Sequence, residues 1–204
     1  MKFYLVRHGM TQYNLENRFQ GCRVDSPLLA QSLLDANKVG KYLAQVNFAN
    51  VYASEQNRAY QTAKEIIGIK PIHKLADFVE YDFGDWDGKF VEDYMQTAEF
   101  KKMVHDPKNF DAVAAYHGEN YIDFAKRGQK ALKKIFLENN IDANVLVVAH
   151  SLVISFTVKT LLGVDLNEVR RQGLLANTSV SILETTDFKN FSLPLWNYTE
   201  FLKK

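Results

Sequence analysis

Short apolar runs alternate with longer stretches of helical period along this chain. Phe3, Tyr4, Leu5 and Val6 form a run that predicts a buried strand. Polar, irregular residues 12–28 predict a loop crossing the strand ends. Leu29, Leu33, Ala36, Val39 and Leu43 recur every three or four residues, which predicts an amphipathic helix over about 30–46. Asn50 to Ala53 reads as a second short strand. Ser54 then reads as the N-cap of a helix running through Ala59, Thr62, Ala63, Ile66 and Ile67 to Gly68, which places Arg58 in or near its first turn. Pro71 to Ala76 gives a third, weaker strand.

The rhythm changes over 78–121. Phe78, Tyr81, Phe83, Trp86, Phe90 and Tyr94 open a stretch dense in aromatics with only short helical periods, as expected of a helical insertion or cap beside a sheet. A long helix from about 119 to 138 follows, with Tyr121, Phe124, Leu132, Ile135 and Phe136 on one face. Asn144 to Ala149 is the clearest buried strand and runs straight into His150 and Ser151. A helix over about 152–162 closes at Gly163, a strand covers Thr178 to Glu184, and Phe191 to Tyr198, with Pro194 inside it, reads as an edge strand. Strands alternating with helices predict an α/β three-layer sandwich with a mostly parallel central sheet, formed by one domain over 1–204.

Composition narrows the partners. With 204 residues, 47% of them hydrophobic, the chain is long enough to bury one sizeable core. A net charge of +1 argues for neither a nucleic-acid nor a membrane-surface partner, and no apolar run is long enough to span a bilayer. The single cysteine, Cys22, excludes an internal disulfide and fits a reducing, cytoplasmic setting. Cys22 also opens no cysteine-phosphatase loop, because Leu28 stands where that motif needs arginine. The five histidines show no metal-ligand spacing, so no metal or other cofactor is expected.

Three segments then carry chemistry at predicted strand ends or helix starts: Arg7-His8-Gly9, Ser54 to Arg58, and His150-Ser151. Parallel strands point their carboxyl ends the same way, where ligands of open α/β sheets bind. Two arginines and two histidines in one crevice suit a dianionic oxyanion, since arginine offers planar paired donors and helix N-termini add amide donors. A neutral histidine there can attack phosphorus and carry it covalently, provided its other ring nitrogen is held by an acceptor.

On these residues the chain resembles the histidine phosphatase superfamily, also called phosphoglycerate mutase-like, over nearly its whole length. LVRHGMT (5–11) resembles the signature strand and loop, and Asn14, Arg18-Phe19-Gln20-Gly21 and Asp25 to Leu28 resemble the segment after it. SEQNRAYQTA (54–63), VEYDFGDWDG (79–88) and VLVVAHS (145–151) resemble the stretches carrying the second arginine, the proton donor and the second histidine. The resemblance implies that His8 is the phosphorylated nucleophile and Glu80 the general acid. It further implies that Arg7, Arg58 and His150 bind the phosphoryl oxygens with Asn14 beside them, and that Gln20 and Gly21 meet the substrate. Glu80 suits its role if the aromatic cap shields it from water; Asp82 is its runner-up, and Glu119 resembles another position near the pocket.

The implied activity is hydrolysis of small phosphate monoesters without metal. A phosphoglycerate mutase would use the same residues, but such mutases tend to be longer. A catalytically idle phospho-ligand binder is the third possibility, motivated by Met10, where a polar residue is usual, and by Ser151, where glycine is common. Leu29 and Ser32 also depart from the usual Thr and Gly. None of the four removes a group that performs the chemistry. The oligomeric state is left open.

Overall fold

A computed structural model describes residues 1–203. In chain order its elements are β1 (Lys2–Arg7), α1 (Gln12–Leu15), α2 (Ala30–Tyr42), β2 (Phe48–Ser54), α3 (Asn57–Ile67), β3 (His73–Leu75), α4 (Ala98–His105), α5 (Ala112–Tyr116), α6 (Tyr121–Glu138), β4 (Asn144–Ala149), α7 (Ser151–Leu161), β5 (Val180–Glu184) and β6 (Ser192–Tyr198). One mixed sheet in the order β3-β2-β4-β1-β5-β6 forms the middle layer. Its first four strands are parallel; β5 runs antiparallel to β1, and β6, antiparallel to β5, returns to the direction of the first four.

Alternation along the strands sorts side chains to two covered faces, which explains why β1 and β4 read as unbroken apolar runs. Phe3, Leu5, Val145, Val147 and Ala149 pack with Phe124, Leu132, Ile135 and Phe156 of α6 and α7. Val6, Leu146 and Val148 face the other way onto Val39 of α2 and Ala59 and Ala63 of α3. Proline falls on the outermost strand, β6, as the edge assignment expects.

Between β3 and α6 the chain forms 3-10 turns at Ala76–Phe78, Gly84–Trp86, Val91–Asp93 and Pro107–Asn109 around α4 and α5. Most of their aromatics are core, with Phe90 exposed. Phe78, Tyr81, Tyr116 and Tyr121 are fully buried, Tyr81 stacks on Tyr121 at 4.3 Å, and the Tyr81 and Tyr116 hydroxyls are 2.8 Å apart. Gly84 is irreplaceable here: its φ is +53°, and a Cβ would lie 1.8 Å from the Tyr116 carbonyl oxygen.

Three local expectations are corrected. The loop over 12–28 contains a one-turn helix, α1, whose Thr11 cap accepts the Asn14 amide while the Asn14 side chain takes the Thr11 N–H. The helix expected over 30–46 ends at Tyr42, and 43–46 turn back toward β2. Ser54 does not cap α3; it is the last residue of β2, and α3 begins after Gln56 with no side-chain cap. Among the described residues no helix is long and apolar enough to cross a membrane.

Candidate active site

The pairing of β1 with β4 sets Arg7 opposite Ala149, so His8 and His150 leave the sheet side by side. Their rings are 5.1 Å apart, centre to centre. β2 pairs with the far side of β4 and brings Ser54 to the same end. A cavity of about 430 Å³ opens there, with Arg7, His8, Asn14, Gln20, Glu80 and Asn177 among its lining residues. Its volume lies within the usual range for small-molecule sites.

His8 is 4% exposed, and its Nδ1 lies 2.7 Å from the Gly9 carbonyl oxygen. A carbonyl only accepts, so Nδ1 carries the proton and Nε2 presents its lone pair. Burial first, then the charges of Arg58 and Arg7, hold the ring well below its usual 6.5, so it is neutral at physiological pH. Gly9 donates its amide to Thr62 Oγ1, which ties this turn to α3. Arg7 also lines the cavity. Its Nη1 donates to the Leu175 carbonyl, while its buried Nε has no partner among the described residues. Orphaned buried donors cost about 1–3 kcal/mol, which an arriving anion would recover.

Glu80 comes from the cap and reaches the start of α7. Its Oε1 accepts the Tyr81 and Val153 amides and its Oε2 the Leu152 amide, all at 3.0 Å. The helix N-terminus thereby fixes the carboxyl group. Arg127 holds the segment behind it, donating to the carbonyls of Asp77, Val79 and Glu80 while paired with Glu119. Glu119 and Asp82 are outside the cavity lining, and Asp82 pairs with Arg23 instead.

Arg58 and His150 sit behind His8 and not in the cavity wall. Arg58 Nε donates to His150 Nδ1 at 3.2 Å, so the His150 proton rides on Nε2, which points to Ser54 Oγ at 2.8 Å. The other four Arg58 donors meet the carbonyls of Val24, Gln20 and Gly21 and the Asp25 carboxylate. All five are engaged. Either group reaches a bound anion directly only by exchanging an internal acceptor for it.

Asn14 Oδ1 accepts from Asn177 Nδ2, which also donates to the His8 carbonyl. Gln20 is buried, bonded to Thr11 and Ser26, with its side chain edging the cavity. Gly21 does not line the cavity. Its carbonyl accepts from Gln56 and Arg58, its amide donates to Asp87, and a Cβ would fall 2.2 Å from the Tyr81 carbonyl oxygen. Its role here is to let two backbones meet.

Sequence reasoning gave no site role to Asn177, Arg127 or Arg170, and it noted Arg18 only within the segment that follows the signature loop; Arg18 and Arg170 also line the cavity. Asn177, Arg127 and Arg170 carry no local signal. Asn177 follows an irregular loop and arrives through the antiparallel pairing of β5 with β1.

Cys22, Asp82 and Asp87 are close enough together to share a cation. Their oxygens are already engaged by the Gly21, Arg23 and Gly84 amides and the Arg23 guanidinium. Burial, then Asp82 and Asp87, push the Cys22 thiol up to about 12, so it is not a thiolate.

The buried histidines make stability depend on pH. Burial holds His150, like His8, well below 6.5, so below that pH the unfolded chain binds two protons that the folded chain does not. Stability therefore falls on acidification, by up to about 2.7 kcal/mol per pH unit for the pair. Asp87, raised by burial to about 6, binds a proton in the folded state first and offsets one histidine below that pH. Urea unfolding is expected to show stability falling as pH drops through about 6.5 and continuing to fall below 6 at roughly one histidine's slope; constant stability across this range would contradict neutral His8 and His150.

The family model of the histidine phosphatase superfamily, branch 1, matches residues 3–199. An adenosylcobalamin/alpha-ribazole phosphatase of Escherichia coli is 28% identical over 172 residues, 80% of each chain. Phosphoserine phosphatase 1 of Hydrogenobacter thermophilus is 28% identical over 199 residues, covering 96% of this chain and 92% of that one. The structure of Bacillus stearothermophilus YhfR superposes with a TM-score of 0.89 at 28% identity over 98% of both chains. With a parallel sheet delivering two neighbouring histidines to one cavity and a family match across almost the entire length, the chain belongs to the histidine phosphatase superfamily, branch 1.

Proposed function

We propose that this chain is a phosphomonoesterase that transfers the phosphoryl group of a small phosphate ester to His8 Nε2 and then to water. The observation that carries it is the His8 ring, neutral and held at Nδ1 by the Gly9 carbonyl, in a cavity that Arg7, with its unpartnered buried Nε, also lines. In the first step Nε2 attacks phosphorus in line and the ester P–O bond breaks. Arg7 meets the equatorial oxygens as their charge develops, while Arg58, bonded to His150, adds positive potential from behind. Glu80 gives its proton to the departing oxygen. Oε2 is the atom for this, because Oε1 already takes two amides and Oε2 only one. In the second step water attacks the phosphohistidine, Glu80 takes its proton, the P–N bond breaks, and inorganic phosphate leaves.

All of these groups belong to the chain, and the proposed cycle routes no step through a metal. The experiment is release of inorganic phosphate from phosphorus-labelled phenyl phosphate in the presence of a chelator, with a denaturing alkaline quench to trap labelled enzyme. Phosphate release with an acid-labile, base-stable phosphoenzyme is the expected result. Ester binding with no release above a protein-free blank would leave a phospho-ligand binder. Transfer of label between positions of phosphoglycerate without net release would make the protein a mutase.

A further inference from the structure

Beyond the phosphoryl end, the cavity changes character. Phe100 and Met103 of α4 and Leu174 line it, giving an apolar stretch on the cap side. Arg170 lines the same cavity from the 3-10 segment Leu166–Gln172, which packs on both α4 and α7. This side lies toward the cap and away from the strand ends that carry Arg7 and His8, so it is where the leaving group of an ester would extend.

Arg170 differs from the other cations of the cavity. Arg18 is already satisfied: its Nε pairs with Glu16 at 2.6 Å, its Nη1 donates to the Gly88 carbonyl, and its face covers the Phe90 ring. Arg7 belongs to the phosphoryl end. Among the described residues Arg170 makes one hydrogen bond, Nη1 to the Tyr121 hydroxyl at 3.3 Å, and no described carboxylate is within ion-pair distance; the nearby Glu168 goes to Arg171. Tyr121 is fully buried, so this one bond anchors the guanidinium to a rigid wall. Its remaining planar donors are left for an acceptor in the cavity, and a single guanidinium matches a single carboxylate in both charge and shape.

We propose that Arg170 is a specificity-determining residue that selects phosphate monoesters whose leaving group joins a ring-sized apolar body to a carboxylate. The apolar body lies against Phe100, Met103 and Leu174, and the carboxylate meets Arg170. This inference rests on the phosphatase reading of the same cavity, and its test separates the two.

The probes are 4-carboxyphenyl phosphate and 4-carbamoylphenyl phosphate, which share shape and differ in charge. The wild-type protein is expected to favour the carboxylate about 10–100-fold in kcat/KM, as charged hydrogen bonds in partly dry sites do. In Arg170→Gln the ratio is expected to fall to about 1–2, and Arg170→Lys should keep part of it. A wild-type ratio near 1, or one that Arg170→Gln leaves unaltered, overturns the proposal even if both esters are hydrolysed. Binding of the same two esters to His8→Ala by calorimetry gives the ratio without turnover. If neither ester is hydrolysed while the binding ratio persists in Arg170 and vanishes in Arg170→Gln, selection by Arg170 stands and the phosphatase reading falls. Should Arg170→Gln fail to fold, the wild-type and Arg170→Lys ratios decide.

Discussion

His8→Ala is expected to reduce the hydrolysis of every phosphate monoester by roughly 10⁴-fold or more and to abolish the acid-labile phosphoenzyme. The size follows from what is lost. Alanine removes the only atom placed to form a bond to phosphorus, and the residual rate depends on binding and on Arg7 acting upon direct attack by water. Binding should survive, since the unpartnered Arg7 Nε and the Arg58 charge are untouched. Removing a neutral imidazole leaves the positive charges of Arg7 and Arg58 at the site unchanged. His8→Ala should therefore hold inorganic phosphate about as firmly as the wild type while turning nothing over. Retention of a tenth of the wild-type rate would rule out a phosphohistidine, whatever the affinity.

How much of this site was legible in the sequence depends on whether a group is carried by a strand or by a long-range meeting. Arg7, His8 and His150 were legible because apolar strands deliver them, and two adjacent parallel strands leave no freedom about where their ends point. The layering was legible for the same reason: continuous apolar runs in β1 and β4 require cover on both faces.

Ser54 was misread because a serine ahead of a helical period ordinarily caps it. Its hydroxyl is taken by His150 Nε2, across 96 positions of sequence, and the strand runs on. Gln56 then uses its side chain on the Gly21 carbonyl and the Glu80 amide and leaves α3 uncapped. Arg58 was found, but its setting was not; no local pattern announces that four carbonyl and carboxylate oxygens from 20–25 will converge on it. Arg127 is one cation among many on α6, and only the folded cap reveals that it clasps the strap carrying Glu80.

That clasp explains why the second large effect falls on Glu80. Glu80→Gln is expected to lower hydrolysis of an alkyl phosphate by roughly 10²–10⁴-fold, the range of general acid catalysis. A 4-nitrophenyl ester should lose far less in its first step, because nitrophenolate leaves without a proton. The second step still needs a base for water, so the variant should release one equivalent of nitrophenolate rapidly and then stall as the phosphoenzyme. Geometry adds a constraint. Glutamine keeps one oxygen for the Tyr81 and Val153 amides, but its NH₂ must then face the Leu152 N–H, donor against donor. Some loss of helix anchoring follows, and it would slow both esters alike. Only the difference between them reports the proton, and the burst reports the base. Equal losses for alkyl and nitrophenyl esters, with no burst, would make Glu80 an anchor for α7 and move the search for the acid elsewhere in the cavity.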